Sequence, residues 1–468
     1  MSLKTKALLP ASLPRLSRCK NFVRPLLLAG ATFTMVVGMR AAPGGHGATD
    51  PGVRGGTPGA GSPIAGLTQN QLAFFSAGQT NFVQIDSVTG SIPNTGGGLG
   101  PRFNAESCAQ CHAQPAMGGS SPFVNPQVAD ATDQGASNHV PSFITLSGPV
   151  REARFPYTLN LQRVDGGVHD LFTISGRTDA PGCNLTQDNF EEAAQEGDLI
   201  FRIPTPVFGT GLIETISDAA ILANMNANLS QKHGLGIAGR PNTSGNDGTI
   251  TRFGWKAQNK SVELFSGEAY NVEMGVTNEL FTTERDQTAG CQFNATPEDY
   301  TNYDLSGTAL PSDIIRFTSF MKMLDQPQPG QSSPSTQHGS QLFTQIGCAY
   351  CHTPSFATGQ STVAALSNVQ ANLFSDILLH HMGPNLADNV GQGVAGGDEF
   401  RTAPLWGLGQ RIFFLHDGRT ADLVQTIQQH FSNGNRTYQS SEANGTVNNY
   451  NHLSSSDQQD LLNFLRSL

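Results

Sequence analysis

Apolar and polar positions alternate between Ser142 and Arg177: Phe143 and Thr145, then Tyr157, Leu159, Leu161 and Arg163, then Leu171 and Thr173. A period of two sends successive side chains to opposite faces, so this stretch predicts short strands turned at Gly166-Gly167 and Gly176. Elsewhere the period is helical. A short helix is expected from Gln69 to Phe75, and two amphipathic helices within 189–224 around a break at Pro204 and Pro206. Ile314, Phe317, Met321 and Leu324 recur at helical spacing behind Pro311-Ser312-Asp313 and ahead of Pro327 and Pro329, which predicts a helix over 311–325. A helix carrying Leu342-Phe343 opens a second unit at His338. Thr420 is expected to cap a helix carrying Leu423, Ile427, His430 and Phe431. A last helix runs from about Asp457 through Leu461, Leu462, Leu465 and Leu468.

Segments without a period mark the boundaries. Residues 43–66 and 326–337 are rich in Gly, Pro and Ser and read as linkers, the first as a flexible tether with order beginning near Leu67. Residues 235–250 form a Gly/Asn-rich loop. Residues 1–42 carry a basic stretch from Lys4 to Arg24, an apolar run from Leu26 to Met39, and Arg40-Ala41-Ala42, the pattern of a cleaved export signal. The apolar run is shorter than the roughly 18 residues a span needs, so no membrane span is expected after cleavage; a retained anchor is the alternative. Cleavage removes seven Lys/Arg and no Asp/Glu, taking the formal charge from −10 to −17. Such a chain does not suit nucleic acid and does suit a basic partner. The expected organisation is a signal peptide at 1–42, a linker at 43–66, an N-terminal domain at 67–325, a linker at 326–337 and a C-terminal domain at 338–468, in a periplasmic protein.

Two pentapeptides then change the picture. Cys108-Ala109-Gln110-Cys111-His112 is echoed by Cys348-Ala349-Tyr350-Cys351-His352. C-x-x-C-H is the attachment motif of c-type haem. Two thiols on one turn bond the two vinyl groups of a porphyrin, and the histidine that follows ligates the iron. A redox dithiol does not need that histidine twice, and a zinc half-site would want the two pairs packed together. Of the 7 cysteines, Cys19 leaves with the signal and four hold haem. Cys183 and Cys291 remain, and either pair in an oxidising compartment or stay as two buried thiols. Each half reads as a helix, C-x-x-C-H, loops and a closing helix, the plan of a cytochrome c. The fold is therefore expected to be mainly α, with two cytochrome c-like domains each carrying one covalent haem, the first enlarged by β-hairpin and loop insertions.

What lies on the second face of each haem decides between electron transfer and chemistry. His430 sits on the apolar face of its helix. His416-Asp417-Gly418-Arg419 offers a turn with a histidine and an arginine suited to haem propionates. Met382, beside His380 and His381, is a further candidate ligand, and Met117 and His139 are candidates for the first haem. Each of these also reads as ordinary packing or surface.

Longer stretches carry a family resemblance from about Phe75 to Leu468. They are Gly98-Leu99-Gly100-Pro101-Arg102-Phe103-Asn104, Arg252-Phe253-Gly254-Trp255-Lys256, Glu273-Met274-Gly275-Val276-Thr277-Asn278, Leu378 to Pro384, Arg401 to Gly409, and Phe414 to Arg419. On these the chain resembles the di-haem cytochrome c peroxidase superfamily, and more closely its di-haem oxidoreductase branch. The resemblance implies that Glu273, in a segment one residue short of the family's, is an acid/base group over the first haem. It implies that Trp255 lies between the haems, and that His430, 14 residues after His416, is the sixth ligand of the second. It also implies a calcium ion between the domains. Lys256-Ala257-Gln258 departs from the Asp-Gly-Arg that follows the family's tryptophan, His381 stands where an Asp is common, and only His139 offers itself as a cap for the first haem. The function implied is reduction of hydrogen peroxide at the first haem, with electrons passed through the second from a small c-type cytochrome. The alternatives are a non-enzymatic electron-transfer cytochrome and a di-haem enzyme that oxidises a protein or thiol partner.

Overall fold

Two helix pairs organise the chain. Gln69–Val83 packs on Asp313–Met323, and Pro334–Gln345 packs on Ser455–Ser467. Both crossings are close for the same reason. A Cβ at Gly78 would stand 2.1 Å from the Arg316 carbonyl oxygen, and one at Gly339 would stand 2.1 Å from that of Asp460. Only a residue without a side chain lets one backbone approach the other so nearly. Phe75 and Phe82 fill the first crossing against Phe320 at 5.2 and 4.9 Å, and Phe343 meets Phe464 at 5.4 Å in the second. Side-chain caps start three of these four helices: Thr68 with Gln71, Ser333 with Thr336, and Ser454. In each pair a C-x-x-C turn follows the first helix, at Cys108–Cys111 and at Cys348–Tyr350. The computed structural model describes residues 47–158 and 163–468; the export signal, and Leu159 and Leu161 of the alternating stretch, lie outside the described residues.

The inserted strands are shorter than the alternation predicts. Glu152–Arg154 pairs antiparallel with Val168–His169 on one side and Ile200–Arg202 on the other, and Arg102–Phe103 pairs with Phe172–Thr173. Phe143 and Thr145 lie outside strands. The break at Pro204 and Pro206 separates the Ile200–Arg202 strand from the Thr210–Thr215 helix, not two helices, because the preceding Phe190–Glu196 helix ends early at Gly197 in the left-handed region. Cys183 and Cys291 are joined in a disulfide with their Cα atoms 4.7 Å apart. In the second half Leu379–His381 pairs with Glu399–Arg401. The Leu423–Gln429 helix is capped by Asp422; Thr420 instead pairs with Phe414 across the turn before it.

One buried apolar cluster runs from Phe75 and Phe103 to Phe320, and continues into Leu373, Leu378 and Trp406 of the second half. Another gathers Phe343, Phe414, Leu423, Leu461 and Leu465. From Gly47 to Leu468 the chain is a single compact unit. The stretch expected as a flexible tether is a strap. Asp50 takes the Arg466 guanidinium through two bonds of 2.7 and 2.6 Å and caps the Leu423 amide at 2.8 Å. Arg54 N–H donates to Gly409 at 2.7 Å and Ile64 N–H to Met323 at 2.8 Å. The 326–337 stretch is likewise pinned, by Gln328 to Gly59 at 2.8 Å and Gly330 to Ser467 at 2.6 Å. Composition does not separate a tether from a strap whose backbone groups find partners on the body.

Candidate functional site

Two cavities lie on either side of one indole. The first, of about 1180 Å³, is walled by Cys108, Cys111 and His112, by Glu152, Arg154 and Arg202 of the three-stranded sheet, by Tyr270, Glu273 and Phe317, and by Trp255. The second, of about 1420 Å³, is walled by Cys348, Cys351, His352, Met382, Arg401, Arg411, His416 and His430, and again by Trp255. The two C-x-x-C pairs face different cavities, so they do not combine into one four-thiolate zinc site.

The histidines are prepared alike. His112 Nδ1 bonds the Gly119 carbonyl at 3.0 Å, His352 Nδ1 that of Phe374 at 3.0 Å, and His430 Nδ1 that of Thr426 at 2.7 Å. A carbonyl only accepts, so each ring carries its proton on Nδ1 and leaves the Nε2 lone pair free for a metal. Burial lowers all three, His112 and His352 to about 4, which keeps them neutral. Among the described residues the first cavity has His112 as the one histidine in its wall, whereas the second has His352 and His430 together with His380 and His416.

Glu273 ends the Val262–Met274 helix, which stops at Gly275 in the left-handed region. Its carboxylate accepts from Asn104 Nδ2 at 2.9 Å, and its carbonyl accepts from the Asn104 amide at 2.7 Å. That fixes the helix end to the loop entering Cys108. Gly100 makes the contact feasible, since a Cβ there would lie 2.1 Å from the Gly275 oxygen. The Gly-rich approach to the first motif thus serves a backbone-to-backbone contact. Glu273 is also hydrogen-bonded to Glu152, which is ion-paired to Arg154. Burial first, and Glu152 second, push Glu273 well above the usual carboxyl range.

Trp255 Nε1 donates to the Ile203 carbonyl at 2.9 Å, and its ring meets His416 edge-on at 6.4 Å. His416 stacks on Phe400 at 4.4 Å. Beside the indole, the fully buried Lys256 ammonium bonds Asp388 at 2.9 Å, Gly396 O at 2.8 Å and Glu399 O at 3.0 Å, while Arg202 holds the other Asp388 oxygen at 2.7 Å.

The remaining candidates separate. His380 borders the second cavity, but its two nitrogens are spent on Glu442 at 2.7 Å and Asp376 at 2.9 Å, so it is a clamped imidazolium with no lone pair to give. Cys351, Asp376 and His380 gather as a candidate metal cluster, which those two ion pairs already occupy. His381 pairs with Asp398 and Glu399. Arg419 is exposed, tied to Asp417 and Asn385, and does not reach the cavity. Met117 and His139 are outside the first cavity, and His139 is exposed. In place of Arg419, Arg401 and Arg411 enter the second cavity buried and lowered to about 10, with carbonyls of Gly254 and Pro404 as their partners and no carboxylate salt bridge among the described residues. Two uncompensated guanidiniums in one apolar wall call for an anionic ligand. In the first cavity Arg202 Nε is buried without a partner. Paired thiols, neutral imidazoles and unpaired guanidiniums fit a haem with its propionates.

Cavities with this donor set define a protein built to hold haem. The chain belongs to the family described as "Di-haem oxidoreductase, putative peroxidase", which matches residues 161–468. It is an enzyme of that class. The matched stretch covers well over half of the chain, from before Trp255 to the last helix, and leaves Cys108–His112 outside. No curated protein matches. Among solved structures the chain is similar to a hydrazine synthase chain of Kuenenia stuttgartiensis, at 17% identity over 33% of this chain and 55% of that one, with a TM-score of 0.22. It is also similar to a MauG-like protein associated with microbial copper homeostasis, at 16% over 57% and 90%, TM-score 0.28. The diheme peroxidase BthA from Burkholderia thailandensis matches at 13% over 57% and 86%, TM-score 0.29. Among the described residues no helix is long and apolar enough to cross a membrane.

Proposed function

We propose that the protein is an exported, periplasmic enzyme of two haem domains that reduces hydrogen peroxide at the first cavity. Cys108 with Cys111, and Cys348 with Cys351, would each hold one c-type haem, with His112 and His352 as iron ligands and His430 as the second ligand in the C-terminal cavity. Haem bound in this way supplies an iron that exchanges single electrons and, where one axial position is free, activates a peroxide O–O bond. The observation that carries the reading is the asymmetry of the walls. The Glu273 carboxyl group faces the cavity that holds His112, and the imidazole of His430 faces the cavity that holds His352.

The chain's own residues divide the work. Asn104 and the end of the Val262–Met274 helix orient Glu273, which exchanges a proton with peroxide as a general acid–base group. Reduction consumes two electrons and two protons and releases two waters. Trp255, held by Ile203, is the shared wall through which charge crosses. The acidic chain suits a small basic c-type cytochrome as electron donor.

EPR and visible spectra of the purified holoprotein, before and after peroxide, test it. One high-spin and one low-spin iron, with the high-spin signal consumed by peroxide, is the expected result. Two low-spin irons indifferent to peroxide, oxidised or half-reduced, would identify an electron-transfer cytochrome instead.

A further inference from the structure

Glu152 and Glu273 reach the first cavity from a strand and a helix far apart in sequence, and their carboxyl groups are hydrogen-bonded to each other. An ionised carboxylate only accepts, so a bond between two carboxyl groups requires that they share one proton. The neighbours decide which of them holds it. Glu152 is ion-paired to Arg154 and lies within the field of Arg202, both buried. Glu273 has the neutral amide of Asn104 beside it, feels the Asp170 carboxylate, and shares with Glu268 the more distant field of Arg154, whose direct ion pair is with Glu152. Positive charge therefore stabilises the Glu152 carboxylate, and the proton is left on Glu273. The directions agree: Glu152 is held below the ordinary range by the two arginines against its burial, and Glu273 is pushed above it.

We propose that Glu152, anchored by Arg154, is a positioning residue that keeps one proton on Glu273, so that Glu273 meets peroxide as an acid rather than as a carboxylate. Its use rests on the peroxide reading above. The location of the proton does not, since it is a property of the resting protein. In turnover the Glu273 proton passes to the peroxide oxygen that leaves as water when the O–O bond breaks. The electrons come from the external donor. The resulting Glu273 carboxylate then faces the Glu152 carboxylate, and that repulsion favours reprotonation from solvent before the next peroxide.

Infrared difference spectra of the intact holoprotein in H₂O and D₂O read the proton directly. At neutral pH the wild-type protein is expected to show a deuterium-sensitive carboxylic-acid C=O band that is missing in Glu273→Gln. In Glu152→Gln the band should vanish at neutral pH and return on acidification, its midpoint lowered by at least about one pH unit. Glu152→Asp, which keeps the charge, should restore it, and haem content serves as the check on folding. A Glu273 band unchanged in Glu152→Gln, or absent from the wild type, overturns the assignment. The expected band behaviour in a wild-type protein inert to peroxide would support this assignment while refuting the peroxide reading.

Discussion

The two cavities are built on one plan and finished differently. Each follows a helix pair that crosses at a glycine, each has a C-x-x-C-H turn in its wall, and each histidine spends Nδ1 on a backbone carbonyl. The first cavity then receives Glu273, Glu152 and Arg154, with Arg202 reaching across to Asp388. The second receives a further imidazole from His430 and two guanidiniums without acidic partners. The repeated frame places a C-x-x-C-H turn in each wall, and the remaining segments set which other side chains line each cavity. The lesson is that attachment and reactivity are encoded in different parts of the chain.

The comparison breaks most sharply at Glu273. Glu273→Gln is expected to slow the peroxide reaction by roughly 10²–10⁴-fold with both haems retained, as loss of a general acid–base group does; stopped-flow mixing with peroxide measures it. If the two cavities differ as proposed, His430→Ala should open the second one. Its low-spin EPR signal should give way to a high-spin one, while the first site's signal stays unchanged. Of intermediate size, Gly78→Ala and Gly339→Ala each force a Cβ onto a carbonyl and should destabilise by about 1–3 kcal/mol. A single cooperative calorimetric transition lowered by both would show that the two helix pairs unfold together.

A further effect, seen in the pH dependence, concerns buried Asp86, to which Tyr270 donates at 3.0 Å and Gln84 at 3.2 Å. Burial first, with Asp313 and Asp299 adding to it, raises it from 3.8 to about 7. Between these values the folded state holds a proton that the unfolded state has lost. Its contribution is therefore complete below about pH 4 and lost as pH rises through 7. Asp86→Asn should flatten the decline in urea-unfolding stability between pH 5 and pH 8.

The paired helices were legible where apolar residues recur at helical spacing, and the Asp313–Met323 helix also by the prolines beyond it, whereas Gln69–Val83 runs past the expected end at Phe75. The attachment turns were legible because two cysteines and a histidine at fixed spacing have one common chemical use. Trp255 and Glu273, singled out through resemblance, do reach the first cavity, and Trp255 reaches both. Arg419 misled because sequence proximity to His416 says nothing of which way a turn points its side chains. Arg401, inside a quoted stretch, and Arg411, just after it, enter the cavity instead. Glu152 and Arg154 had a signal: alternation puts both on one face of a strand around the buried Ala153. Missing was the knowledge that this face looks onto Glu273, a pairing between distant segments that no local pattern records.

The Asp50 clasp has a consequence for assembly. It closes a loop of 416 positions by gripping Arg466 while also seating the first amide of the helix that leads to His430. Contacts so distant along the chain carry a large closure entropy and form after local ones. The second cavity's wall is therefore completed only when the last turn of the chain is in place. Until then the wall that holds Cys348 and Cys351 lacks the side that Leu461 and Leu465 supply.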